Sequence, residues 1–261
     1  MDSSSSDTDH KARSRGIYLL PNLFTTSALF AGFYSVILAY NENFAGAGMA
    51  ILVAMVLDGF DGRVARMTNT TSAFGAEYDS MADMISFGMA PAFLMYSWTL
   101  SGLSEARFGQ LGWVIAFVYT ACCGLRLARF NVAVGTADKR FFQGLACPSA
   151  AAVLASFVWV MAGLGYEGSD FVFISAALTL ATGVAMVSTF TYYSFKDLGD
   201  NKKVPFAMLL ALLFLFVVTA VDPPKMILIA SVTYGLSGPV YYLFRLYRKR
   251  VRASRSSEQG D

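Results

Sequence analysis

The chain has 261 residues, 56% of them hydrophobic and only 15% charged, with a formal net charge of +2. A soluble domain carries roughly 25% charged residues. The long apolar runs here therefore read as a polytopic membrane protein, not as a globule with a large core. Three cysteines without a C-x-x-C spacing (Cys122, Cys123, Cys147) and a single histidine, His10, argue against a disulfide framework, a zinc site or histidine acid–base chemistry.

Residues 1–15 form a polar, Ser-rich tail with no apolar signal-like core, expected to be disordered to about Lys11. "KARSRGIYLL" then has the composition of a short basic helix that lies on anionic headgroups. Eight spanning helices of about 20 residues follow. They lie near 20–40, 44–62, 76–98, 111–133, 147–165, 170–194, 204–221 and 226–246, inside a membrane domain at 16–246. Residues 247–261 form a basic tail. Turn-forming clusters separate several of them: "NEN" at 41–43, "GLGYEGSD" at 163–170, "DLGDNKK" at 197–203 and "DPP" at 222–224.

The fold class is thus an all-α membrane bundle with both termini on one side. That side collects all of the 20 basic residues except Arg107 and Lys225. Positive-inside bias makes it cytoplasmic, and an odd number of spans would break the partition.

Within this apolar chain, "LDGFDGRVARMTNTTSAFGAEYDSMADMISFG" at 57–88 holds four aspartates at the cytoplasmic ends of two consecutive helices. Asp58 and Asp61 are three residues apart, and Asp79 and Asp83 are four apart. Such steps return to one helix face, roughly 60° and 40° apart in azimuth. Each unneutralised carboxylate would cost about 2.5–3.5 kcal/mol at a helix centre, less near the interface, and the four would repel one another. Divalent cations resolve both problems. All-oxygen ligation suits Mg²⁺, Mn²⁺ or Ca²⁺, and four carboxylates suffice to bridge two ions about 3.5–4 Å apart, a geometry that clamps phosphate oxygens. Gly62 and Gly75 leave room for close approach, and Arg66 is placed to clamp a phosphate or nucleotide.

The stretch matches the signature D-x-x-D-G-x-x-A-R, eight residues, G-x-x-x-D-x-x-x-D through Asp58, Asp61, Gly62, Ala65, Arg66, Gly75, Asp79 and Asp83. It thereby resembles the CDP-alcohol phosphatidyltransferases. A wider resemblance, from about residue 17 to 150, is to the branch that includes the membrane-embedded bacterial phosphatidylserine synthases. It rests on "YLLPNLFTTSALFAGFYS", "DSMADMISFGMAPAFLMY", "CCGLRLARFNV" and "FFQGLACPSAAA". The branch usually reads "GLPSPAAA" where this chain has Ala146 and Cys147 ahead of Pro148.

The resemblance implies transfer of a phosphatidyl group from CDP-diacylglycerol to the hydroxyl of L-serine, with release of CMP. It implies two ions, Mg²⁺ or Mn²⁺, with Ca²⁺ an alternative in one site. Asp58 and Asp79 would bridge both ions, Asp61 would complete the first site and Asp83 the second. Asp83 is also the expected general base, since no histidine is available. Gly62 and Arg66, with Asn22 and Ser72, would hold the CDP-diacylglycerol. Arg126 and Arg129, three residues apart in "RLARFN", are the expected partners of the serine carboxylate. A homodimer in the cytoplasmic membrane, its active site facing the cytoplasm, is also expected, and nucleic acid is not an expected partner. Two alternatives stay open: another acceptor in the same family (glycerol 3-phosphate, inositol phosphate or choline), and a cation transporter. Transporter sites lie nearer the midplane in broken, repeated helices.

Overall fold

The computed structural model describes residues 5–68, 70, 72–104, 110–133, 141–193 and 221–258. It is a helical membrane bundle. Helix α1 spans Ser5–Tyr40 and α2 Phe44–Met67. A chain of three segments follows: α3 (Ala73–Asp83), a π-helical turn (Met84–Met89) and α4 (Ala90–Trp98). Then come α5 (Leu111–Ala133), α6 (Cys147–Gly163), α7 (Val172–Val187) and α8 (Pro223–Glu258). Among the described residues, Pro21–Tyr40, Phe44–Met67, Leu111–Val132 and Gly168–Val187 are long and apolar enough to cross a membrane. The expected span 204–221 lies almost wholly outside the described residues; each of the others has a counterpart.

Three boundaries differ from the sequence reading. Helix α1 starts at Ser5 and runs through the expected tail and basic segment without a break, because extending a nucleated helix adds a hydrogen bond for each residue fixed. Helix α8 likewise continues to Glu258, past the expected end at 246. Helix α7 stops at Val187, and Thr191–Tyr193 (β2) pairs antiparallel with Phe141–Gln143 (β1), Phe142 facing Tyr192. The all-α reading thus gains one short ribbon. Gly144, with φ of 83°, turns the chain from it into α6. A Cβ there would press into the Met186 carbonyl oxygen, so the turn requires glycine.

Helix α6 lies at the centre of the bundle, with Ala150–Val158 buried throughout. Small residues set its distance from α2, where a Cβ on Gly48 would come within 2.6 Å of the Ala155 carbonyl oxygen. Close approach of small residues is how helices pack when lipid offers no hydrophobic drive between them. The α1–α2 hairpin turns at Asn41–Asn43, where Asn43 caps α2 by accepting from the Gly46 amide at 3.0 Å.

Two prolines mark the interior. Proline has no N–H, so in an α-helix the carbonyl four residues earlier loses its partner. Pro91 lies just past the π turn, where the buried Tyr119 hydroxyl donates to the Phe87 carbonyl at 3.0 Å. Pro239 releases the Gly235 carbonyl, and the Tyr192 hydroxyl donates to it at 3.1 Å. Tyr192 fits there because Gly238 has no side chain; a Cβ would press against the hydroxyl end of the tyrosine ring.

Candidate active site

The end of α2 and the start of the α3 segment meet with their acidic faces together. Asp58, Asp61 and Asp79 each offer one carboxylate oxygen, and these oxygens all lie within 4.8 Å of one another. Asp83 lies within hydrogen-bonding reach of Asp58. Asp61 is buried, and the other three are half-buried. The spacing along each helix puts each pair on one face; the α2–α3 pairing puts the faces together.

The donor set fits a hard divalent cation. It is all carboxylate oxygen, and Asp79 Oδ1 is buried without a hydrogen-bond partner among the described residues. An orphaned buried carboxylate oxygen is costly unless something neutralises it. Asp61 is held in place by Thr25 of α1, whose hydroxyl lies 2.8 Å from Asp61 Oδ2 and 3.2 Å from the Pro21 carbonyl oxygen. Thr25 is itself buried. Sequence reasoning missed it; the only available signal was its helical spacing from Asn22, which does not reveal a partner on α2.

The other expected site residues divide into groups. Ser72 caps α3 by accepting from the Gly75 amide at 3.0 Å. Asn22 lies beside this cap: a Cβ on Gly75 would be 3.1 Å from Ser72 Oγ and 3.6 Å from Asn22 Oδ1. Asn22 and Ser72 therefore meet next to the aspartates. Among the described residues, a Cβ on Gly62 would meet only Arg66 Nη1, at 3.5 Å. Those residues leave open space over Gly62, flanked by the exposed Arg66 guanidinium, whose charge acts on Asp61.

Arg126 and Arg129 do not share one environment. Arg126 is half-buried and donates from Nη1 to the Cys147 sulfur at 3.3 Å, while Arg129 is exposed. Cys123 and Cys147, both fully buried, lie within electrostatic reach of Asp83 on one side and Arg126 on the other. Arg126 thus lies beside the two thiols that also face Asp83. Near the end of α5, Asn131 Nδ2 donates to Ser80 Oγ at 3.1 Å, tying that helix to α3.

The model of the CDP-alcohol phosphatidyltransferase family matches residues 18–187, which include all four aspartates and both helix-5 arginines. The chain belongs to that family. A CDP-diacylglycerol–serine O-phosphatidyltransferase of Helicobacter pylori is 36% identical over 234 residues, covering 89% of this chain and 94% of that protein. An archaetidylserine synthase of Methanothermobacter thermautotrophicus is 32% identical, covering 70% and 72%. A CDP-diacylglycerol–serine O-phosphatidyltransferase of Saccharomyces cerevisiae is 32% identical, covering 64% and 63%.

Proposed function

We propose that this chain transfers the phosphatidyl group of CDP-diacylglycerol to L-serine, releasing CMP. The observation that carries the reading is the convergence of Asp58, Asp61 and Asp79 from two helices, with a buried oxygen of Asp79 unpartnered. Relatives whose names specify serine along most of their length support the acceptor.

The family resemblance and the clustering of the acids support the following roles. Asp58 and Asp79 would hold both divalent ions, with Asp61 completing the first site and Asp83 the second. When bound, the ions bind the diphosphate and offset charge on the departing CMP. Gly62 leaves room for the diphosphate and Arg66 clamps it, with Asn22 and Ser72 at its edge. Asp83, close to Asp58 but deeper in the bundle, takes the proton from the serine hydroxyl as that oxygen bonds to the β-phosphorus. The bond from that phosphorus to the CMP oxygen breaks in the same displacement. Arg126 meets the serine carboxylate through parallel hydrogen bonds, a geometry that lysine cannot reproduce.

The charge partition along the sequence supports a cytoplasmic-facing site and cytoplasmic termini. The working unit is a homodimer in the cytoplasmic membrane, a reading that the family resemblance supports. The catalytic domain is 16–246, with polar segments at 1–15 and 247–261.

Purified enzyme in lipid should be offered CDP-diacylglycerol with serine, glycerol 3-phosphate or inositol phosphate separately, while CMP is measured. Serine is expected to give the fastest release. Activity is expected to vanish in chelator and return with Mg²⁺ or Mn²⁺ but not Zn²⁺, as all-oxygen ligation requires. Faster turnover with another acceptor would leave the family and remove the serine assignment. Full turnover after exhaustive chelation would remove the metal reading.

A further inference from the structure

Arg126 is held in an unusual way for a half-buried cation. Its Nη1 donates to Cys147 Sγ at 3.3 Å, and the Cys147 thiol in turn lies 3.9 Å from the Cys123 carbonyl oxygen, to which it donates. The thiol therefore works in both directions, accepting from the guanidinium and anchored on the α5 backbone one turn earlier. Arg126 Nε is buried and, among the described residues, has no hydrogen-bond partner.

A guanidinium presents five N–H groups in a rigid planar fork. A bond at Nη1 restrains the plane, and the edge that carries Nε is the one that meets a carboxylate side-on with two parallel bonds. The unpartnered Nε is a buried, charge-bearing donor waiting for an acceptor.

The supports of this clamp are buried and packed. Cys147 is fully buried at the first turn of α6, with Pro148 following and Gly144 turning the chain before it. Cys123 packs against the π turn that follows Asp83; a Cβ on Gly88 would lie 3.2 Å from Cys123 Sγ. Contacts thus run from the Asp83 segment through Gly88, Cys123 and Cys147 to the guanidinium.

We propose that Cys147 is a positioning residue that sets the plane of Arg126 for the acceptor's carboxylate, and so determines specificity for an α-amino acid acceptor. The inference rests on the proposed reading that Arg126 binds that carboxylate. The thiol touches no substrate; it acts through the arginine.

The test compares Cys147→Ala, Cys147→Ser and Arg126→Lys in saturation curves for serine, serine methyl ester and CDP-diacylglycerol. Cys147→Ala is expected to raise the KM for serine roughly tenfold, the scale on which supporting partners act on the groups they orient. The KM for CDP-diacylglycerol and for the ester, which lacks the carboxylate, should stay within about twofold, well inside that scale. Cys147→Ser keeps a group that donates and accepts, and it should restore serine dependence. Should the alanine variant fail to purify, Cys147→Val keeps the volume without the hydrogen bonds and serves in its place.

If Arg126→Lys raises the serine KM while Cys147→Ala does not, the positioning role is overturned and the Arg126 reading stands. If Arg126→Lys leaves serine dependence unchanged, the Arg126 reading itself fails. Equal losses with serine and its ester would reduce Cys147 to packing and overturn the proposal.

Discussion

Asp79 carries a local conflict: among the described residues, one of its carboxylate oxygens is buried with no donor, close to the other acids. Such a group persists in a native fold when a ligand resolves it. Asp58→Ala, Asp79→Ala and Asp83→Ala are accordingly expected to lower CMP release at least about 100-fold, within the several kcal/mol that ion-assisted displacement supplies. All three should still insert and purify, because removing one acid relieves repulsion in the ion-free protein. Substantial turnover by all three at saturating Mg²⁺ or Mn²⁺ would rule out the two-ion site. Thr25 makes a subtler prediction. Its hydroxyl orients Asp61, and partners of this kind are worth about 10–100-fold in metal affinity. Thr25→Val should raise the Mn²⁺ concentration for half-occupancy about tenfold, read by paramagnetic resonance of free Mn²⁺ without turnover. An unchanged binding curve would leave Thr25 as packing. The four aspartates were legible in the sequence because spacing of three and four fixes a shared face whatever the fold. Thr25 was not, since its partner depends on how α1 is rotated against α2. The two arginines of α5 show the limit of the same rule: a three-residue step is about 60°, enough here to put Arg126 inside and Arg129 outside.

The segments from α3 to α4 show what the sequence concealed between residues and whole helices. An apolar stretch over 76–98 predicts one span, and the chain indeed follows one path, but Pro91 withdraws a donor and the path passes through a π turn. Turns of this kind recur at functional sites, and this one starts immediately after Asp83. The buried Tyr119 hydroxyl donates to the Phe87 carbonyl in this turn. Tyr119→Phe would remove that bond, at about 1 kcal/mol. The expected outcome is a lower unfolding midpoint in detergent, with a smaller fall for Tyr192→Phe, whose bond to Gly235 is only partly buried. An unchanged midpoint for Tyr119→Phe would show that another group satisfies the π turn. The β1–β2 ribbon was illegible for a different reason. "STFTYYS" continues the apolar run of α7, and over a short apolar run periodicity does not separate strand from helix. Its β-branched and aromatic residues suit a strand, and the pairing that decides the matter is with residues about 50 positions away.

At the scale of the whole molecule, the fold sets the aspartates at one end of the bundle and the α1–α2 turn at the other. Helix α2 connects them: Glu42 lies just before it and Met67 closes it after 24 residues. At 1.5 Å per residue that is about 36 Å, longer than the hydrocarbon core of about 30 Å, so the two positions emerge on opposite faces of the membrane. Among the described residues, Arg63, Arg66, Arg126 and Arg129 lie towards the Met67 end, and positive-inside bias would make that end the cytoplasmic one. The three native cysteines are buried, so a single introduced thiol reports its own position. Glu42→Cys and Glu167→Cys, both at exposed turns, should react with a membrane-impermeant maleimide in intact cells. Met67→Cys, 84% exposed, should react only after the membrane is opened. Labelling of Met67→Cys from outside, with Glu42→Cys protected, would invert the bundle. It would place the aspartates away from the compartment that holds CDP-diacylglycerol's soluble product and the free amino acid, and the cytoplasmic reading of the site would be lost while its chemistry stood.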